Sequence, residues 1–389
     1  MKKVCFITTV SGTLESFVLE FAKYMHDNGE YDITFICNKD DGFANLLPTY
    51  IHCIPVDMKR GISIGGVSAC FKMWKVFKKN KYDLIQYSTP NAALYASIAG
   101  WFAKIPVRLY CQWGLVFVGF SGLKRKIFKY EEKLVCKLSS WIEPDSWGNL
   151  EFCHREKIYP RQKGSVVHKG SASGVSLEKF DISKKEIYRI EVRRKFGIPD
   201  DIFVYGFVGR ITGDKGINEL LLATKSILEQ YKDICLLLVG GIDKEESVDT
   251  KLYEWSKTNN RIIYCGNTNE VQKYMAAMDC YIMPSYREGF GLTVVEAGAM
   301  GVPVICTNIP GPTDAIHDEV NGIIVEKKNE KALKDAILRL YSDRKLAERL
   351  GAAGYENVKE NYEQSNLFKY IIEDRERLLM ASDRRKARR

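Results

Sequence analysis

Two stretches of the chain bring cations, carboxylates and glycines together at spacings suited to holding a diphosphate and a sugar. The first is Phe207-Val-Gly-Arg-Ile-Thr-Gly-Asp-Lys-Gly216, an apolar run entering a glycine-punctuated turn that carries Arg210 and Lys215 ahead of a helical pattern. Gly209 and Gly216 let backbone N–H groups approach an anion, the helix N-terminus favours negative charge, and two cations five residues apart can clamp a diphosphate. A glycine turn with surface charges is the bland alternative. The segment is not a Walker A loop, because G-x-x-x-x-G-K-[ST] is absent.

The second stretch is Ser285-Tyr-Arg-Glu-Gly-Phe-Gly-Leu-Thr-Val-Val-Glu-Ala-Gly-Ala-Met-Gly-Val-Pro-Val-Ile305. Glu288 falls in a loop after a strand, and Glu296 lies about one turn into the helix that starts near Leu292. A carboxylate can accept hydrogen bonds from two vicinal hydroxyls, so one can hold a sugar and the other a ribose diol. The loop amides around Gly289, from Phe290 and Gly291 to Leu292 and Thr293, can take phosphate oxygens. A solvated loop charge and an exposed helix carboxylate are the corresponding plain alternatives. No Asp-x-Asp triplet occurs, so the usual carboxylate pair for a nucleotide-bound divalent ion is missing. We expect no metal and no other cofactor.

The elements that must position these residues read as two successive alternations of short apolar runs and helices. Lys3–Thr9, Asp32–Cys37, Asp83–Tyr87, Val107–Cys111 and Trp141–Glu143 read as strands, separated by helical patterns at Leu14–His26, Val67–Lys79, Ala92–Ala103 and Leu123–Leu138. Residues 156–200 break the rhythm, and it restarts at Phe203–Val208. This predicts an α/β chain of two tandem doubly wound, Rossmann-like domains facing a cleft. The expected boundaries are 1–188, 189–365, and a C-terminal helix over 366–389 that crosses back to the first domain with a basic, unstructured tail.

Composition narrows the class. The 389 residues are 46% hydrophobic and 28% charged, with a net charge of +9, which excludes disorder and a disulfide miniprotein. The longest charge-free apolar stretches fall short of the roughly 18–20 residues that span a bilayer, and the N-terminus does not read as a signal peptide. The chain is therefore expected in the cytoplasm, with its eleven cysteines reduced. Residues 1–190 hold 28 Lys and Arg against 18 Asp and Glu, whereas residues 191–389 hold 30 against 31. The basic excess gathers in Lys72–Lys81 and Lys124–Lys137, a face suited to an anionic membrane surface and not assigned to nucleic acid.

The spacing Glu288-x7-Glu296, the Gly-Arg-x4-Lys-Gly segment at Gly209–Gly216 and the run Ala297-Gly-Ala-Met-Gly-Val-Pro-Val resemble the donor domain of glycosyltransferase family 4, retaining enzymes of the GT-B fold. The segments Ser88-Thr-Pro-Asn-Ala-Ala93 and Lys169-Gly-Ser-Ala-Ser-Gly174 are similar to bacterial capsule and O-antigen members. The resemblance implies that Arg210 and Lys215 bind the donor pyrophosphate, Glu288 the transferred sugar and Glu296 the ribose. Asn267 and Thr268 would meet the base, and Gly12 completes the donor set. It further implies a nucleotide-sugar donor, with a UDP-sugar favoured and an N-acetylhexosamine among the candidates, and a lipid-linked saccharide acceptor. The enzyme would work on the inner face of the cytoplasmic membrane.

Many members carry histidines after the strands here at Leu84–Tyr87 and Leu109–Cys111. This chain has Gln86 and Ser88, then Gln112 and Trp113, and its five histidines lie elsewhere and read as structural. Thr89, Asn91, Gln112 and Trp113 are the acceptor-side candidates, with a core tryptophan an equal reading of Trp113. An inactive GT-B binding protein and a nucleotide-sugar epimerase of the same fold stand as alternatives.

Overall fold

The computed structural model describes residues 1–58, 64–242 and 247–387. The chain divides into two compact units: residues 1–173 with 366–389, and residues 174–365. The first boundary thus falls at Ser173/Gly174 and not after residue 188, because the helix Lys185–Phe196, unread in the charged stretch 156–200, buries Val192 and Arg193 in the second unit. Arg193 reaches Asp279 and the carbonyls of Pro199, Asp200 and Ile202, which explains how a helix so rich in charge packs inward.

Six parallel strands form the sheet of the first unit: β1 (Lys2–Ile7), β2 (Tyr31–Cys37), β3 (Ile51–Pro55), β4 (Leu84–Tyr87), β5 (Val107–Gln112) and β6 (Trp141–Pro144). Their spatial order is β3-β2-β1-β4-β5-β6. The second unit repeats the plan with β7 (Phe203–Val208), β8 (Ile234–Val239), β9 (Ile262–Gly266), β10 (Cys280–Met283), β11 (Val304–Thr307) and β12 (Gly322–Val325). There the order β9-β8-β7-β10-β11-β12 is the same doubly wound arrangement. The central strands are buried along their whole length, as strands covered by helices on both faces must be. In each unit the strand order reverses beside the first strand, between β1 and β4 and between β7 and β10. Crevices for ligands open at such switch points, beyond the carboxyl ends of the strands.

The last helix, Gln364–Ala387, places Leu367, Phe368, Ile371, Leu378 and Leu379 in the core of the first unit. The ring of Phe368 lies 5.3 Å from that of Phe21. The basic end expected to be unstructured continues this helix to Ala387, while Arg388 and Arg389 lie outside the described residues. No described helix is long and apolar enough to cross a membrane.

Candidate active site

At the switch point of the second unit, the loop after β7 meets the loop after β10. Gly216 makes the meeting possible. It has φ +74°, and a Cβ there would sit 2.0 Å from the Pro284 carbonyl, so only glycine fits both the left-handed backbone and the approach. Gly240 is equally confined, since its Cβ would lie 1.9 Å from the Gly209 carbonyl. Through it the ends of β7, β8 and β9 are stitched together by Gly209 N–H to Val239 O and Gly240 N–H to Gly266 O, both 2.9 Å.

This geometry brings Lys215 and Glu288 into contact. Lys215 Nζ donates to Glu288 Oε1 at 2.6 Å, and Ser285 Oγ donates to the same oxygen at 2.6 Å. Both ionic side chains are largely buried, so the pair is poorly screened and its orientation well defined. Asp214 joins them. Its Oδ1 accepts from Thr212 Oγ1 at 2.6 Å, its Oδ2 pairs with Arg287 at 3.0 Å, and its carbonyl accepts from Tyr286 N–H at 2.9 Å. Burial works to raise the Asp214 carboxyl, but Thr212 and the cations Arg287, Arg210 and Lys215 outweigh it and hold it below the usual carboxylate range. Arg210 is thus close enough to act on the same cluster while its side chain remains exposed. Asp214, Ser285, Tyr286 and Arg287 were not singled out in the sequence; the adjacency of Asp214 to Lys215 was the available signal.

The Glu288 loop leads into the helix Leu292–Ala299, whose N-cap is Gly291 at φ +85° with no side-chain cap. Its first amides therefore remain available to an anion. Phe290 is drawn into the core, with its ring 5.3 Å from that of Tyr362, so its part in a site is its backbone. Thr293 Oγ1 accepts from Tyr281 OH at 2.6 Å, and Gly289 is pinned by Gly311, whose Cβ would lie 2.1 Å from the Gly289 carbonyl. Glu296 lies within this same helix, partly exposed, with burial pushing its carboxyl up to about 7 against the opposing pull of Lys179. Asn267 lies against Gly241, whose Cβ would approach its Oδ1 to 2.9 Å, and Thr268 Oγ1 accepts from Glu270 N–H at 3.0 Å.

The remaining candidates belong to the first unit, where the switch point gathers Thr9, Thr89 and the start of the helix Pro90–Phe102. Thr89 has φ +63°, an uncommon backbone for a β-branched residue, and its hydroxyl accepts from Thr9 N–H at 3.0 Å. Asn91 lies in the first turn of that helix, and Gly12 is exposed in the helix Ser11–Phe17 with open space where a Cβ would stand. Gln112 is a correction. It is fully buried, donates to Glu132 Oε1, and accepts from Cys153 at 3.3 Å; its burial closes it to a sugar. Trp113 packs against Phe17 at 5.4 Å and is partly buried. Among the histidines, His26 stacks on Tyr50 at 3.6 Å and His168 on Tyr370 at 4.2 Å.

Comparison with known proteins decides the family. Residues 189–357 match the model described as "Glycosyl transferases group 1" and residues 3–142 that described as "Glycosyl transferase 4-like". The capsular polysaccharide biosynthesis glycosyltransferase CapM of Staphylococcus aureus is 30% identical, with 80% of each chain covered. The chain belongs to the family-4-like glycosyltransferases. The UDP-Gal:alpha-D-GlcNAc-diphosphoundecaprenol alpha-1,3-galactosyltransferase of Escherichia coli is 27% identical over 82% of both chains. Among solved structures, HepE of Anabaena in complex with UDP-glucose superposes with a TM-score of 0.78 at 19% identity, covering 96% of this chain and 99% of that one. Together with the two six-stranded parallel sheets, that likeness assigns this glycosyltransferase the GT-B fold.

Proposed function

We propose that this glycosyltransferase moves a hexosyl group from a UDP-sugar to a saccharide linked to a lipid diphosphate, with retention at the anomeric carbon, in assembly of a surface polysaccharide. The contact between Lys215 and Glu288 at the second switch point carries the reading. Arg210, Lys215 and the amides of Gly291, Leu292 and Thr293 face a diphosphate. Glu288, fixed by Ser285 and Lys215, takes hydroxyls of the transferred sugar, Glu296 takes the ribose diol, and Asn267 and Thr268 meet the base. HepE's complex with UDP-glucose supports the donor class, and the names of the Staphylococcus and Escherichia relatives support a capsule-type product and a diphosphoundecaprenol acceptor.

The chemistry would be electrostatic. As the bond from the anomeric carbon to the diphosphate oxygen breaks, negative charge grows on the leaving phosphate, where the two cations and the helix amides stabilise it. The same phosphate can accept the proton of the incoming acceptor hydroxyl on the face it leaves, so retention requires no protein base. Arg210→Ala and Lys215→Ala should each weaken UDP more than uridine, and the double change should cost less than the sum because one anion is shared. Calorimetry with both ligands checks this, and equal losses for UDP and uridine would remove the cations from the phosphate. Added EDTA should leave transfer unchanged, whereas loss restored by Mg²⁺ would replace the cation mechanism by a metal one.

The membrane reading rests on the helix Gly122–Leu138, where Lys124, Lys126 and Lys133 accompany exposed Leu123, Ile127 and Tyr130. Each cation near an anionic leaflet contributes about 1 kcal/mol. Binding to anionic and not neutral vesicles, weakened by raised salt and by Lys124→Glu with Lys126→Glu, is expected in sedimentation. Salt-insensitive binding would contradict it.

A further inference from the structure

A second apolar feature lies on the same face of the first sheet. The helix Ile64–Asn80 packs beside the helix Pro90–Phe102, which in turn packs beside Gly122–Leu138. Between the first two runs a groove of about 670 Å³ whose walls are almost wholly apolar. Val67, Phe71 and Trp74 form one side, Ile98 and Phe102 the other, and Lys78 is the one charged residue of the lining among the described residues. Val67 is 72% exposed and Phe102 61%, so large apolar side chains stand in water that a packed helix pair would ordinarily exclude. Cations border them: Lys75 Nζ sits 4.5 Å from the centre of the Phe71 ring, and Lys78 follows one turn on.

We propose that this groove is a binding site for an acyl chain of an anionic membrane phospholipid, with Lys75 and Lys78 against its headgroup. An extended peptide would ask for polar partners for its backbone groups along its path, and such walls supply almost none. A hydrocarbon chain asks only for removal from water. The position of the cations at the edge matches a lipid whose charge stays at the surface while its tail enters, and exposed Trp101, adjoining Phe102 with ring centres 4.9 Å apart, suits the interfacial level where aromatic side chains gather. The basic helix Gly122–Leu138 packs against the same Pro90–Phe102 helix that forms one wall of the groove. The site rests on the membrane reading above, and it makes a separate claim: the protein engages individual chains and does not merely adhere through charge.

Tryptophan fluorescence tests it with phosphatidylglycerol vesicles whose acyl chains carry bromine at mid-chain, a short-range quencher. Full-length protein should be quenched by these vesicles and not by unbrominated ones, and the difference between wild type and Trp74→Phe should assign a quenched component to Trp74. Val67→Asp with Phe71→Asp, both exposed positions that leave the core intact, should remove that component. It should also weaken co-sedimentation by about tenfold or more, since two large apolar side chains no longer leave water. Co-sedimentation with Trp74 unquenched would overturn the groove site and leave the charge-based membrane reading standing. Absence of co-sedimentation with phosphatidylglycerol would overturn both. A doubled mass in lipid-free sedimentation velocity that the double variant abolishes would assign the groove to a second copy of the chain and overturn the lipid site.

Discussion

Glu288→Gln is expected to abolish most sugar transfer while leaving the affinity for UDP within a few-fold of wild type. The substitution keeps the shape of the side chain and an oxygen for Ser285, so the loop stays in place, but it removes the charge that orients Lys215 and that the proposed mechanism sets against the sugar hydroxyls. Losing a charge-assisted hydrogen bond that acts in the transition state costs about 1.5–3 kcal/mol, or roughly 10–150-fold in rate. The Lys215 ammonium, released from its carboxylate, remains available to the phosphate. Steady-state kinetics with UDP calorimetry and a thermal melt separate a chemical from a structural effect. A variant within twofold of wild type would remove Glu288 from the reacting sugar, and parallel loss of melting temperature would make it a structural residue.

Arg375→Ala should produce the largest loss of stability. Arg375 projects from the C-terminal helix into the first unit, 2% exposed, where its guanidinium spans Glu143, Gln86 Oε1 at 3.1 Å and Cys111 Sγ at 3.7 Å. Burial holds the Glu143 carboxyl above its ordinary range even though Arg375 pulls it down, so removing the cation strands a buried acid. Breaking such a pair costs about 3–5 kcal/mol, which should lower the melting of the first unit by roughly 6–20 °C. Arg375→Met combined with Glu143→Met should recover much of the loss, because neither charge is left alone. A single variant that melts within 2 °C of wild type, a change of about 1 kcal/mol or less, would show that the apolar face from Leu367 to Leu379 holds the helix unaided.

The sheets were legible wherever strands are apolar along their whole length. Phe203–Val208 coincides with β7, because a strand covered on both faces reads as a nearly continuous apolar run. The edge strand β3, Ile-His-Cys-Ile-Pro, escaped notice because it is only half covered and ends in proline. Leu14–His26 read as one helix but breaks at Val18, whose φ of −124° separates Ser11–Phe17 from Leu19–Asn28; the apolar period runs through the break and hides it. The helix Lys185–Phe196 was obscured by charges whose partners lie far along the chain, as Arg189 and Arg193 meet Asp279.

In the candidate site, residue type and glycine spacing singled out Arg210, Lys215, Glu288 and Glu296, since a glycine-punctuated turn and the charges beside it are adjacent in sequence. That Lys215 and Glu288 touch was not legible, for it depends on β7 and β10 lying side by side across 73 residues of sequence. Gln112 misled for the opposite reason. Its position at the end of a strand suits a ligand-facing residue, and only the fold shows that it is buried against Glu132.

The most direct measurement of the proposed reaction is release of free nucleotide from a panel of UDP-, GDP- and dTDP-sugars, with and without a short-chain lipid-diphosphate saccharide acceptor, compared between wild type and Glu288→Gln. We predict UDP release from a UDP-sugar, stimulated by acceptor, yielding a product with the anomeric configuration of the donor and nearly silent in Glu288→Gln. Tight binding of UDP with no sugar consumed from any donor would instead make the chain a nucleotide-binding relative without transfer, and a product of inverted configuration would contradict the leaving phosphate as the proton acceptor.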